Sequence, residues 1–456
     1  MGMAFADTML AESDATVMIV DRHGKPGGHW NDAYPFVRLH QPSAFYGVNS
    51  RPLGGDRIDT HGPNAGLYEL ASGAEVLAYY DQLMHQHFIP SGRVQYAPLS
   101  EVDVSTIGPE SDSVAVRSLV TGEVTDVTVN KRVVNASYMN VSVPSQRPPN
   151  YDVADGVRFG PVNALASLDE PADGYVVVGA GKTGADACLF LLANGVEPAD
   201  IQWITPRDSW FLDRKLIQPG EFRESSARFF IGQFRHVAES DSVPDLFRRL
   251  EDDGLLIRLD ANVEPTMYRC STITTVELEQ LQRIKNVVRL GRVRSIEADQ
   301  IVLDEGTLAT TPNTFHIDCT ADGLERRAVR PVFDNRLVTL QTVRACQQVF
   351  SAAFIAHVEA AYGDDDHKNT LCGVVPHPDS VGDWLRNALD SSKNSANWNA
   401  DPELTAWLAE ARLDGFSSTE PPTEGLVELM MSALDHAEPA LAKLETYVAE
   451  LDAATP

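Results

Sequence analysis

Gly174-Tyr175-Val176-Val177-Val178-Gly179-Ala180-Gly181-Lys182-Thr183-Gly184-Ala185-Asp186-Ala187-Cys188 is the stretch that decides the fold. It reads as a short apolar strand, a glycine-rich turn and the first turns of a helix. In that order the three glycines have separate tasks. Gly179 permits the tight turn, Gly181 lets a pyrophosphate approach the backbone, and Gly184 lets helix and strand pack closely. The phosphates of a dinucleotide would lie on the helix start, beside Lys182 and Thr183, where unpaired N–H groups and the helix dipole favour negative charge. A mononucleotide P-loop needs a glycine five residues before Gly181, and Val176 stands there. The apolar run 187–192 carries the helix onward.

The end of the next strand, Ile201-Gln202-Trp203-Ile204, selects the nucleotide. An acidic residue at that place suits NAD, and an arginine suits the 2′-phosphate of NADP. Here the run is Thr205-Pro206-Arg207, with Arg214 close behind. NADPH is the expectation, with Arg207 on its 2′-phosphate.

A chain of 456 residues has room for two or three domains, and 43% apolar with 22% charged residues is an ordinary globular composition. A formal charge of −28 speaks against nucleic-acid or anionic-membrane partners, which require clustered basic residues. No apolar run approaches the ~20 residues of a membrane span, and no secretory signal is read at the start. The five cysteines, Cys188, Cys270, Cys319, Cys346 and Cys372, are odd in number and widely spaced. They read as reduced thiols of a cytoplasmic protein, neither a disulfide framework nor a zinc site. His85-x-His87 has no array of ligands around it, so no metal is expected.

The start of the chain repeats half of the same unit. A helical pattern over 1–10 leads to Thr16-Val17-Met18-Ile19-Val20 and then Asp21, which lies 19 residues after Gly2. That spacing suits Gly2 as the last glycine of a second fingerprint and Asp21, with Arg22 beside it, as the ribose-binding end. The expectation is that a first strand and two glycines, about ten residues, precede Met1 in the native protein.

The segment that follows is Gly27-Gly28-His29-Trp30, Tyr34-Pro35, Arg38, His40-Gln41-Pro42-Ser43 and Tyr46. It resembles the stretch after the first dinucleotide unit in flavin-dependent monooxygenases, the group that includes flavin-containing monooxygenases and Baeyer–Villiger enzymes. Residues 179–186 likewise resemble that family's NADPH turn. The resemblance covers the framework to about residue 325 and implies an α/β fold with two Rossmann-like dinucleotide-binding domains, an FAD domain with an inserted NADPH domain, plus C-terminal helices. It implies FAD and NADPH as cofactors, with a small organic substrate and dioxygen as reactants. It places Gly28, His29, Trp30, Arg38 and Gln41 beside FAD, and Arg38, His40 and Asn49 on the loop near the reacting ring. Dithiol flavoenzymes carry a cysteine pair after this glycine pair, and residues 27–46 contain none.

Ser72-x-x-Glu75 is a capping box opening a helix to about residue 88. Runs at 114–120, 124–129 and 132–134 suggest a meander, and the proline-rich run 143–149 a boundary. The chain thus divides into 1–150 (FAD domain, first part), 151–313 (NADPH domain), 314–400 (return to the FAD domain) and 401–456 (helical). In the return segment Asp322 is a candidate for the flavin's ribityl chain. Gln348, opening an apolar helix over 349–361, is a candidate for its pyrimidine edge. Residues 364–366 and 390–400 read as polar loops, and 402–413 and 424–452 as acidic amphipathic helices with a kink near Pro439.

One departure stands out. The monooxygenases carry Phe-x-Gly-x-x-x-His between their two turns, and this chain has Phe159-Gly160-Pro161-Val162-Asn163-Ala164-Leu165, without the histidine. The reading is a divergent NADPH-dependent flavin monooxygenase; a flavin reductase or oxidase that inserts no oxygen, or an NADPH-binding protein that has lost flavin, stays open.

Overall fold

In the computed structural model of the protein, residues 1–454 are described apart from 140, 322, 324–325 and 417–420. Asp322 therefore lies outside the described residues.

The strand Gly174–Val178 lies at the centre of a five-stranded parallel sheet. From edge to edge the order is Phe159–Pro161, Thr314–Asp318, Gly174–Val178, Ile201–Ile204, Asn286–Val288. Its β-branched run is buried on both faces, as a central parallel strand requires. Tyr175 and Val177 point to the helix Lys182–Ala193, packing with Ala185, Cys188 and Leu191. Val176 and Val178 point the other way, onto Ile296 and Ile301 of a smaller sheet. Period-two alternation thus feeds two separate cores from five residues.

Thr314–Asp318 corrects the expected division at 314. The strand read as the return to the first domain pairs with Gly174–Val178 over its whole length and completes the inserted unit's sheet.

In the first part, the helix Gly2–Glu12 and strand Val17–Val20 form as expected, and the strand pairs in parallel with Val94–Ala97. The helix buries Phe5 and Met9 against Phe350 and Phe354 of the helix Gln348–Ala361. The Ser72/Glu75 capping box is present on the helix Gly73–Leu83. The expected meander is only half right. Ser113–Ser118 and Val124–Thr128 are antiparallel, but Val133–Asn135 leaves them to pair in parallel with Leu337–Thr339.

Two stretches read as polar loops are helical. Asp364 caps Asp365–Leu371, and a Ser380/Asp383 capping box opens Val381–Asn399. Trp384, Leu385, Leu389 and Trp398 recur at helical spacing on the buried side, joined there by Asn394, whose amide donates to the oxygens of Val343 and Gly373. Pro402–Glu410 follows, and Glu424–Ala454 runs through Pro439 as one assigned helix. Val381–Asn399 and Glu424–Ala454 close a third core with Arg223–Glu239 and Val243–Asp252, around Phe229, Phe247, Trp384 and Tyr447. No helix among the described residues is long and apolar enough to cross a membrane.

Candidate functional site

The glycine turn is built as its spacing requires. Gly179 has φ +128°, and a Cβ there would stand 2.6 Å from the carbonyl oxygen of Cys319. A Cβ at Gly184 would stand 2.1 Å from the oxygen of Gly179, which also accepts a hydrogen bond of 2.8 Å from the indole of Trp203. Gly181, the residue before the helix, faces open space where its side chain would be. Ala185 N–H finds Gly181 O at 3.1 Å, so the amides of the first turn point out of the helix start. This arrangement fits the pyrophosphate of a nicotinamide dinucleotide.

Around that helix start the chain folds its earlier loop. Lys182 pairs with Asp186 one turn on, and the Tyr34 hydroxyl donates to Asp186 at 2.6 Å. Burial, and then the Asp186 carboxylate, hold the Tyr34 phenol well above its ordinary range, so it stays a donor. This bond ties the 27–46 loop to the nucleotide turn. Tyr34→Phe is expected to cost about 1.5–3 kcal/mol, the range for a hydrogen bond to a charged group, read as a lower thermal midpoint.

A cavity of about 150 Å³ opens between the two segments, lined by His29, Trp30 and Tyr34 on one side and Asn163, Thr183 and Ala321 on the other. Trp30 donates its indole N–H to Tyr46 at 2.7 Å, which sets the ring's orientation. His29 is pushed down to about 4 by burial and by the charge of the amino terminus. His40 is pushed down to about 3 by burial, with Lys182 and Arg214 adding repulsion. Its Nδ1 is buried without a hydrogen-bond partner. Both imidazoles are neutral at pH 7, so His40 offers a hydrogen-bonding ring, not a cation.

The remaining sequence candidates fall elsewhere. Arg38 is exposed and gives Nη1 to the oxygen of Leu70 at 3.0 Å; Asn49 accepts from the N–H of Leu413 at 3.1 Å. Both bond backbone, and neither lines the cavity described above. Arg22 is exposed and Gln41 half-buried. Asp21 accepts from the His23 N–H at 2.9 Å and meets its Nδ1 at 3.0 Å, while His23 Nε2 meets Asp32 at 2.8 Å. The expected ribose acid is thus already engaged by a histidine two residues away. Arg207 is paired with Asp379 at 3.1 Å, beside Arg269, and not open toward the strand end. Arg214 is buried, bonded to His40 O at 2.9 Å and to Glu277 at 2.9 Å. Ahead of Gln348, the helix start is filled by Arg344, which reaches Gln347 and pairs with the buried Asp414.

For FAD the fit is seen at Gly27 and Gly28, which at φ 127° and 55° bend the loop so that Gly28 faces open space near Trp30. A Cβ at Gly2 would lie 3.0 Å from that of Ala136, a close approach that a glycine permits.

Reasoning from sequence missed His23 and Asp32, though their spacing to Asp21 was a usable signal. It also missed the meeting of Cys270, Cys346 and His377, for which spacing carried no signal. Cys270 and Cys346 are joined as a disulfide across 76 residues, which corrects the reading of all five thiols as reduced.

No protein-family profile matches the chain. Protein Rv2000 of Mycobacterium tuberculosis is 49% identical over 467 residues, covering all of this chain and 83% of its own length; Mb2023 of Mycobacterium bovis matches to the same extent. The chain belongs to the Rv2000 family. Both relatives bear the description "uncharacterized protein". Solved structures similar to this Rv2000-family chain include flavin-containing monooxygenases and related oxidoreductases. A polycyclic ketone monooxygenase of Thermothelomyces thermophila is 13% identical, with 96% of this chain and 86% of that one covered, at TM-score 0.48. The flavin-containing monooxygenase of Stenotrophomonas maltophilia is 14% identical, with 89% and 96% covered, at 0.39. Against the Bacillus anthracis protein CoADR-RHD, at 11% identity and TM-score 0.40, 83% of this chain is covered but only 56% of that one. The fold assignment rests on the sheet orders above.

Proposed function

We propose that the chain is an NAD(P)H-dependent flavoprotein oxidoreductase, and in its finer reading a divergent monooxygenase acting on a small organic substrate with dioxygen. What supports this is one juxtaposition: Thr183, in the first turn of the helix Lys182–Ala193, and the 29–34 segment line the same cavity, and the two segments are tied by Tyr34 and Asp186. A nicotinamide dinucleotide lies with its phosphates on the first turn of Lys182–Ala193. Trp30 and the neutral His29 define the wall its nicotinamide end approaches, and Tyr34 holds the two segments together. A flavin, when bound, supplies the hydride acceptor and the route of electrons to a further acceptor. NADPH is favoured over NADH on the residues at 205–207, with Arg207 released from Asp379 on binding.

A second reading, a dinucleotide-binding protein without flavin, is favoured by a cavity below the roughly 300 Å³ at which ligand pockets begin.

The test is the visible absorption of the purified chain, supplied with FAD, before and after NADPH without air. Retained flavin that NADPH bleaches is the expected result. Admitting air with candidate substrates then separates oxygenated product from peroxide alone. NADPH binding with no retained flavin selects the second reading, and binding of neither removes both.

A further inference from the structure

Three segments far apart in sequence meet at one cluster of side chains. The strand Met267–Ile273 carries Cys270. The run 342–347 carries Cys346, and the run 375–379 carries His377. They are bound edge to edge: Thr342 and Val375 exchange hydrogen bonds of 2.6 and 2.8 Å, and Tyr268 N–H donates to Asp379 O at 3.1 Å. The Cα atoms of Cys270 and Cys346 are 6.6 Å apart, within the span of a disulfide. Both sulfurs and a ring nitrogen of His377 lie within 4.8 Å of one another.

Three features set this pair apart from a simple staple. Cys270 has φ +54° and Ala345, next to Cys346, has φ +41°, a backbone region costly for residues with a side chain. The surrounding structure holds that strain at both sulfurs. An imidazole beside a sulfur is the arrangement that generates and stabilises a thiolate. Cys346 is also only half-buried, so a small thiol has a route to its sulfur. By contrast Cys188, Cys319 and Cys372 are buried, and burial pushes their thiols well above the ordinary range.

We propose that Cys270 and Cys346 are a redox-active pair that exchanges with thiols of low molecular weight, with His377 carrying the proton. This goes beyond the flavoprotein reading and does not rest on it. A thiol RSH gives its proton to His377, and the thiolate attacks Sγ of Cys346, the more exposed of the two. The Cys270–Cys346 bond breaks, R–S–S–Cys346 forms, and the Cys270 thiolate takes the proton back. A second RSH repeats the transfer, its thiolate attacks the sulfur of R, RSSR leaves, and the Cys346 thiolate is protonated. Two thiols are oxidised to one disulfide as the protein's disulfide is reduced to two thiols.

The test equilibrates the folded full chain with reduced and oxidised glutathione at set ratios, traps thiols by alkylation, and locates them by peptide mass. Cys270 and Cys346 are expected to gain and lose label together, while the other three cysteines label only after unfolding. Cys270→Ser should trap glutathione on Cys346. His377→Asn should slow exchange roughly a hundredfold, the scale of acid–base catalysis, with the far-UV dichroism unchanged. The proposal is overturned if the pair opens only on unfolding, if both stay thiols under oxidised glutathione, or if a bound zinc ion blocks alkylation until chelated. Exchange in His377→Asn at the wild-type rate removes the histidine's role.

Discussion

Lys368→Ala is expected to lower the stability of the protein by about 3–5 kcal/mol, the cost of leaving a buried charge without its partner. Lys368 and Glu359 are both almost fully buried, with side-chain exposures of 3% and 1%, and their charged ends meet at 2.7 Å. Burial alone would raise the Glu359 carboxyl, but the hydrogen bonds from Lys368 and Arg132 outweigh it and hold the group below its ordinary range. Arg132 and Lys131 also reach Glu359, at 3.0 and 3.1 Å, which places the effect toward the lower end. Replacing both buried partners together, Glu359→Leu with Lys368→Met, should recover most of the loss, because no charge is then left buried. Denaturant unfolding of Glu359→Leu, Lys368→Met and the double variant measures the coupling. The pH dependence follows from the depressed carboxyl. Its contribution is fully present above the ordinary carboxylate value of about 4.3 and fades as pH falls through the lower folded value. Wild type and Lys368→Ala should therefore converge in stability at acid pH.

Gly184→Ala is the second large effect, and it is expected to remove NADPH binding while destabilising the inserted unit by about 3 kcal/mol, the upper end for overpacking. The added methyl would stand 2.1 Å from a backbone oxygen, so no side chain can rotate to make room. Helix and strand must separate, and the turn that meets the phosphates opens with them. Gly181→Ala gives the contrast. Nothing lies within 4 Å of the new methyl, so stability should fall by no more than about 1 kcal/mol. The methyl nonetheless stands where the proposed function brings the pyrophosphate, so on that proposal affinity should fall. Thermal midpoints and NADPH titration of the pair separate the glycine that builds the turn from the one that receives the ligand. Equal destabilisation by both substitutions would refute this division.

The inserted unit was legible because its signals are local. A β-branched run buried on both faces, three glycines at fixed spacing and an apolar helix all fall within 174–192, and each glycine has the surroundings its position implied. The capping box at Ser72 and the helix and strand of 1–20 were readable for the same reason. The polar-looking stretch 390–400 was misread because it holds only one apolar anchor of the helix, Trp398, while Trp384, Leu385 and Leu389 lie before it and the buried Asn394 is itself polar. Arg207 and Asp21 were assigned by position in a motif. The structure gives each a protein partner, Asp379 and His23, that no pattern near them announced.

The sequence by itself determined the glycine turn with its flanking strand and helix, and the capping box at Ser72, because each depends on residues within a few turns of one another. Only the tertiary structure decided that Thr314–Asp318 completes the inserted sheet, that Tyr34 joins the two segments through Asp186, and that Cys270, Cys346 and His377 meet. Each of these joins residues from about 30 to more than 150 positions apart. Chain folding alone sets such distances, since loop closure costs grow slowly with length and leave no mark in local spacing.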